Sequence, residues 1–579
     1  SWGKLIGATK DDGREKRVAS YQYDYYNRMS GKSESVNGGD PVVTVYRYNQ
    51  WDQRTLRELR NGALRLTEEK TYDRFGRLSK IKSGSSEVIY YYNSFNQLEK
   101  RLINNVPEFY YYTKYGQLRA KTLGAEEDKN PLTSLKYFYS RPGMIVAREV
   151  NGARQNYKYD KKGQLLGVYD GKGNAVEEYV YDPAGNILKK TIQGKTTTYK
   201  YDKANQLVSS ECNGKVTKYE YDAAGRLVKE GDKVYSYIGL DKIESVTENG
   251  RRLSSFSYHI DGQLAEAVTP EKRESFQWDG LALIQRNSTS YVNEPAVTGG
   301  NPILADDKVL FNDMLGTTLG IKDGDKVMQN SLTAFGESLS TSPMQDSFFT
   351  GKPHVGELGY AFLFRNYRAD QGKWQTSDPL GYPDGWNNFA YCNNHAGTAI
   401  DYLGAYEIEW KGTWTDAEKT AVLNAFSAVN ARIYSLISQI TNQIEHLISI
   451  RENSNVITEK ADALISTIST FRYNLATTRS NILSTTYNLE IYQADLPTGV
   501  DARYWASTVP WYDDELTIDY EWFVNASDMG TIFHELTHTW SDDGESGNDF
   551  INAHIIERLY SNNFSSWIVY KSEYRKIFE

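Results

Sequence analysis

Cysteine is nearly absent: Cys212 and Cys392 are the only two in 579 residues. That excludes a disulfide framework and a cysteine-built zinc site. Proline (14) and methionine (6) are sparse as well. No apolar run reaches the roughly 18 residues that a membrane-spanning helix needs. The opening Ser1-Trp2-Gly3-Lys4 has neither an initiator methionine nor a signal peptide. It reads as a cut inside a longer protein whose targeting information lies elsewhere. What the chain does hold is 39% hydrophobic and 24% charged residues, with 45 tyrosines and 45 glycines. Such a composition buries a sizeable core and is not that of a disordered chain. The length amounts to about four domains' worth of residues.

The net charge of −9 is unevenly spread. From residue 405 onward 12 Lys+Arg face 25 Asp+Glu, a net of −13, against 54 and 50, or +4, in the first 404 residues. An acidic tail of this size argues against nucleic acid as a partner, because phosphate binding needs a cationic surface.

Self-similarity dominates the first half. Tyr-x-Tyr-Asp recurs at Tyr157-Lys158-Tyr159-Asp160, Tyr179-Val180-Tyr181-Asp182, Tyr199-Lys200-Tyr201-Asp202 and Tyr219-Glu220-Tyr221-Asp222, the aspartates 22, 20 and 20 residues apart. Looser copies stand upstream at Tyr23-Asp24, Tyr48-Asn49, Tyr72-Asp73, Tyr92-Asn93 and Tyr112-Thr113. Downstream, Tyr258-His259 and Trp278-Asp279-Gly280 complete the series. Alternation puts both aromatics of a unit on one face of a strand, and Asp or Asn with Gly supplies a turn. A unit of about 20 residues fits one β-hairpin, which must stack edge to edge with its neighbours to bury a face. No nucleophile or metal cluster recurs with the repeat, so its role is structural.

These repeats resemble the YD-repeat or RHS family over roughly residues 1–404. The resemblance implies a mainly β shell, with hairpins wound into a hollow cocoon around a C-terminal cargo. It divides the chain into a repeat shell (1–300), a core plug (301–404) and a cargo domain (405–579).

The plug carries its own motifs: Phe311-Asn312-Asp313-Met314-Leu315-Gly316, Phe349-Thr350-Gly351-Lys352-Pro353, Arg365-Asn366-Tyr367-Arg368, Asp378-Pro379-Leu380-Gly381 and Asp401-Tyr402-Leu403-Gly404. Their order is similar to the RHS core signature. In that family the core is an intramolecular aspartyl protease that severs the chain after the last Asp-Pro-x-Gly. Carried over residue by residue, Asp378 and Asp401 are the paired carboxylates, Arg365 their basic neighbour, and Gly404–Ala405 the bond cut. The chemistry needs one carboxyl to activate water and one to protonate the leaving group. Two departures stand out: Tyr402 replaces the proline of the last motif, and Asn393-Asn394-His395 replaces Asn-Asn-Pro.

Past Gly404 the composition changes. Val422, Phe426, Val429, Ile433 and Ile437 recur at helical steps, as do Ile440, Ile444 and Leu447, so residues 415–492 read as two or three long helices. Glu515–Phe523 alternates like a strand. Then follows His534-Glu535-Leu536-Thr537-His538 in helical context. A spacing of four places His534 and His538 on one helix face, able to grip one Zn²⁺, with Glu535 beside them as general base. The motif resembles the active-site helix of zincin metallopeptidases, which implies an α-rich α+β cargo domain. A third ligand on a second helix, gluzincin-like, points to Glu557, with His554 one turn earlier as its rival. Asp542, Asp543 and Asp549 are weaker candidates. Tyr512, Tyr520 and Tyr560 are candidates for oxyanion support.

Together these resemblances imply a secreted toxin, delivered into target cells, whose shell encloses a zinc metallopeptidase freed by self-cleavage. The expected partners are a protein or peptide substrate in the target cell, an immunity protein, and components of a type VI secretion apparatus or a toxin complex. Two other readings stay open. One is a cell-surface adhesion or scaffold protein with a non-catalytic tail. The other is a toxin of different chemistry, such as a nuclease or transferase, against which the acidic tail and the lack of a Gly-rich phosphate loop count.

Overall fold

The computed structural model describes residues 5–404 apart from 12, 27, 142–143, 240–241, 295–299, 341–343, 380–384 and 402; beyond Gly404 it describes three strands. The repeats form one 32-stranded sheet from Gly7–Asp11 to Lys326–Gln329. Each strand pairs antiparallel with the strands before and after it in sequence, as in Ala153–Tyr159, Leu165–Asp170 and Ala175–Tyr181. The continuous stack of hairpins expected from the repeat is therefore present. It runs past residue 300 and includes the turn at Asp313, which opens the first plug motif.

Each repeat residue has a mechanical job. The aspartate closes the turn: in the unit at Asp222, Oδ1 accepts from Ala224 N and Arg226 N at 2.9 and 3.0 Å, and Oδ2 from the Arg226 guanidinium at 2.7 Å. This is an Asx-type turn that satisfies backbone donors the sheet leaves free. The first tyrosine of a unit is buried on the inner face, as Tyr179, Tyr199 and Tyr219 show. The second reaches back along the sheet. Its hydroxyl donates to the carbonyl of the apolar residue that starts the previous return strand: Tyr92 to Leu78, Tyr112 to Leu98, Tyr181 to Leu165, Tyr201 to Ile187. Trp278 does the same through Nε1 to Leu264 at 2.7 Å, so this aromatic position keeps its function without a tyrosine.

At the same position the pairing slips by one residue, between Lys158/Tyr159, Val180/Tyr181, Lys200/Tyr201 and Glu220/Tyr221. Such bulges bend a strand and raise its twist, and here they recur once per hairpin. The sheet consequently curls onto itself. Residues facing one another across the curl lie 248 apart at Lys10–Tyr258, 233 at Tyr46–Asp279 and 191 at Lys121–Asn312. Both members of each pair advance together, which describes a coil and not a fold-back, and the shrinking interval means that it winds inward. Strands Ala282–Arg286 and Asn301–Ala305, buried along their whole length, lie in the interior of that coil.

Buried charge joins the turns of the coil. Arg101 and Glu108 are fully buried, and Arg101 Nη1 meets Glu294 Oε2 at 2.7 Å while Lys121 Nζ meets Glu108 Oε1 at 2.8 Å. Asp279 collects Arg54 at 2.6 Å and Tyr46 at 3.0 Å. Breaking a pair of this kind costs about 3–5 kcal/mol, because the remaining charge stays buried.

After the coil, residues 332–404 form a plug with a five-stranded sheet of short strands, Phe348–Phe349 to Lys373–Trp374. Tyr360, Phe362, Tyr367, Trp374 and Tyr391 pack ring on ring against the inner faces of the hairpins between Leu165 and Leu283. Among the described residues the helical segments are two 3-10 turns, Gly356–Leu358 and Cys392–Asn394.

Ile400–Asp401 pairs antiparallel with Glu407–Trp410, which pairs in parallel with Leu489–Gln493 and through it with Glu515–Ile518. The strand expected from Glu515 is present over Glu515–Ile518. Leu489–Gln493 is a strand where helix was expected to continue to residue 492; Leu489, Ile491 and Gln493 fall at the alternate positions of a strand. The rest of the expected helices, the His-Glu-x-x-His segment and Ala405 lie outside the described residues.

Candidate functional site

The plug brings Arg365, Asp378, Asp401 and Gly404 to one point. Arg365 follows the strand Gly359–Ala361 and its turn; Asp378 follows Lys373–Trp374; Asp401 ends the strand Ile400–Asp401. All are buried, with Arg365 2% and Asp401 1% exposed. Arg365 Nη2 contacts Asp378 Oδ2 at 2.7 Å and Asp401 Oδ2 at 3.1 Å, which bounds the separation of these two carboxylate oxygens at 5.8 Å. The same guanidinium donates from Nη1 to Asn388 O at 3.1 Å and from Nε to Gly404 O at 2.5 Å. Its plane rests over the Trp374 ring, with Cζ 4.2 Å from the centroid. Every edge of the guanidinium is thus committed, and its planar fork is what permits one cation to serve two carboxylates and two carbonyls.

Gly404 is held as firmly. Its N–H donates to Asp401 Oδ1 at 2.7 Å, the Leu403 N–H donates to the same oxygen at 3.2 Å, and Phe364 N donates to Leu403 O at 3.0 Å. Gly404 adopts φ +78, and a Cβ there would lie 2.9 Å from Phe362 Cβ and 3.2 Å from Arg365 N. Only glycine fits this conformation and this space. Tyr402, the departure from the family motif, lies outside the described residues.

The resemblance of the plug motifs to the RHS core signature gave Arg365, Asp378, Asp401 and Gly404; it gave no part to Trp374, Asn388 or Lys352. Lys352 is 2% exposed, and burial lowers its ammonium to about 8, with Asp401 pulling the other way. Its signal was a lone lysine in an otherwise apolar and small-residue stretch, Phe348-Phe349-Thr350-Gly351-Lys352-Pro353. His534, Glu535, His538, His554 and Glu557 lie outside the described residues. Among the described residues no group of three or more His, Cys, Asp or Glu side chains is arranged to hold a metal ion.

Residues 143–279 match the family model described as Teneurin YD-shell. The tyrosine hydrogen bond and the closed turn that define the repeat extend on both sides of that stretch, from Tyr48 to Asp313. Among solved structures, the Photorhabdus luminescens Tc holotoxin pore is 13% identical, with a TM-score of 0.45 over 69% of this chain and 27% of that one. TcdB2-TccC3 without its hypervariable C-terminal region is 12% identical, with a TM-score of 0.47 and the same coverage. The chain therefore spans about a quarter of the length of the solved chains it matches. No curated protein matches it. The described residues form a coiled sheet of repeated β-hairpins with a plug packed against its inner face, and residues 143–279 of that sheet are similar to the YD-shell model.

Proposed function

We propose that the plug is an intramolecular aspartyl protease that cuts the chain between Gly404 and Ala405. The observation that carries this reading is the single guanidinium of Arg365, which contacts both Asp378 and Asp401 and the Gly404 carbonyl oxygen. That oxygen belongs to the bond in question, so Arg365 polarises the carbonyl and faces the oxyanion that forms on it. One carboxylate takes a proton from water, whose oxygen attacks the Gly404 carbonyl carbon. The other carboxyl gives its proton to the Ala405 nitrogen as the C–N bond breaks. The products are a Gly404 carboxylate and a free Ala405 amine. The glycine conformation and the two N–H bonds to Asp401 fix the carbonyl against the carboxylates, which makes the step effectively unimolecular.

In this reading the shell belongs to a secreted toxin and residues 405–579 are its effector, a zinc metallopeptidase. His534 and His538 with Glu557 or His554 hold the metal, and Glu535 is the general base. Zinc, when bound, supplies Lewis-acid polarisation of a scissile carbonyl. The sequence motif supports this part, and the acidic charge of the tail counts against nucleic acid as its target. A denaturing gel of freshly made wild type beside Asp401→Asn and Arg365→Gln tests the self-cleavage, with cut wild type and intact variants expected. A released tail that binds no zinc after refolding with the metal would remove the peptidase while leaving the self-cleavage standing.

A further inference from the structure

The hairpin turns of the coil alternate between two rims. On one rim stand the turns that begin at Asp24, Asn49, Asp73, Asn93 and Thr113, followed by those at Asp160, Asp182, Asp202 and Asp222. The backbone closure is common to all nine: the first residue's N–H donates to the carbonyl four residues on. The residue two places after the start differs by group. In the last four turns it is Lys162, Ala184, Ala204 and Ala224. In the first five it is Tyr26, Trp51, Phe75, Phe95 and Tyr115, each 63–81% exposed.

The later turns are contacted by the plug, whose residues 375–379 and 385–395 lie against them as a strap of bends and turns that includes the 3-10 turn Cys392–Asn394. Ser377 Oγ donates to Ala224 O at 2.8 Å, Asn387 Nδ2 to Ala184 O at 3.1 Å, and Asn394 Nδ2 to Gly185 O at 2.8 Å; His395 Nε2 meets Lys162 O at 3.0 Å. The strap reads the rim through turn carbonyls, and Lys162, Ala184, Ala204 and Ala224 stay exposed beside it. The first five turns continue the same rim with aromatic rings at that position. Three of the five rings carry a cation: Arg28 lies over Tyr26 at 4.9 Å, Arg74 over Phe75 at 4.6 Å, and Lys114 over Tyr115 at 4.9 Å. Exposed aromatics, three of them under a cation, have the composition of binding hot spots.

We propose that this aromatic rim docks a segment of a partner polypeptide, laid across the turns as the strap is laid across theirs. Successive turns are two strands apart, or roughly 10 Å, so the five span about 40 Å, the reach of about 12 extended residues. Covering five rings at their present exposure removes roughly 600 Å² from water, against the ~800 Å² one partner gives to a standard interface. Turn carbonyls contribute acceptors, so the segment carries side-chain amides alternating with apolar groups that sit between the rings.

The test is selection of a displayed library of random dodecamers on the full chain, with selected peptides measured by fluorescence anisotropy. Peptides that combine Asn or Gln with apolar residues are expected. The double variant Phe75→Ser, Phe95→Ser weakens them at least tenfold, Trp51→Ser alone weakens them several-fold, and Ala204→Ser on the plug-contacted part of the rim leaves them unchanged. Circular dichroism of each variant shows that the sheet is intact. Failure to enrich any peptide, or affinities indifferent to the aromatic substitutions, overturns the proposal. So does a concentration-dependent dimer in sedimentation that the double variant abolishes, which assigns the rim to a second copy. Binding of a glucan oligosaccharide through these rings, with no peptide selected, overturns it in favour of a carbohydrate surface.

Discussion

Replacing Gly404 with alanine is expected to slow the cut after that residue without unfolding the plug. The residue sits at φ +78, where an L side chain costs about 1–2 kcal/mol. The added methyl would lie 2.9 Å from Phe362 Cβ and 3.2 Å from Arg365 N, and neither is the free end of a flexible side chain. Relieving that contact moves the Gly404 carbonyl away from Arg365 Nε, which it meets at 2.5 Å. A combined penalty of about 2–3 kcal/mol on the reactive geometry corresponds to a rate lower by roughly 30- to 150-fold. The assay is a time course of fragment formation in pulse-labelled synthesis, quenched in denaturant and resolved by gel. Gly194→Ala is the control: Gly194 has φ +81 in a hairpin turn, and a methyl added there would meet nothing within 4 Å, so it carries the backbone strain without touching the site. Cleavage of the Gly404→Ala chain at the wild-type rate would refute the assignment of this carbonyl as the one attacked.

Three further outcomes follow from the coil and the plug. Trp278→Phe removes the Nε1 bond to Leu264 while keeping a ring, and should cost about 1–2 kcal/mol, read as faster hydrogen exchange in strands Leu264–Val268 and Arg273–Asp279. Glu34 is held down at about 2: burial opposes the shift, and the hydrogen bonds and charges of His259 and Arg17 outweigh it. A depressed carboxyl stabilises the fold above its unfolded value near 4.5, and that share is lost as pH falls toward 2; Glu34→Gln should flatten the acid limb of a stability–pH curve. Lys373 is buried, its Nζ makes no hydrogen bond, and it faces the rings of Tyr201, Tyr221 and Phe389; burial lowers it to about 7, with Asp202 opposing. With a folded value below the unfolded 10.5, the wild type loses stability as pH falls from about 10.5 to 7, and Lys373→Met should remove that slope in chemical denaturation.

Local chemistry was legible in the sequence wherever it repeats. Aromatic alternation and the aspartate–glycine turn specify a hairpin within about 20 residues, and copies at constant spacing specify a continuous sheet. The coil was not legible from spacing, because its contacts join residues far apart: Asp279 meets Arg54 and Tyr46 more than 220 positions away. The bulge that bends the sheet lies at the second aromatic of each unit, and a period-two pattern does not reveal a one-residue slip. In the plug, Arg365, Asp378, Asp401 and Gly404 were found through motif order and converge in space. Trp374 and Asn388 were missed, since one acts through a ring face and the other through a backbone carbonyl, and neither leaves a mark in residue type.

The central claim is self-cleavage between Gly404 and Ala405, and intact mass with N-terminal sequencing of the purified chain tests it most directly. The account predicts two species in wild type, one ending at Gly404 and one beginning at Ala405, and a single uncut chain in Asp378→Asn. An uncut wild type, a cut at another bond, or an Asp378→Asn chain cut as completely as wild type would contradict it.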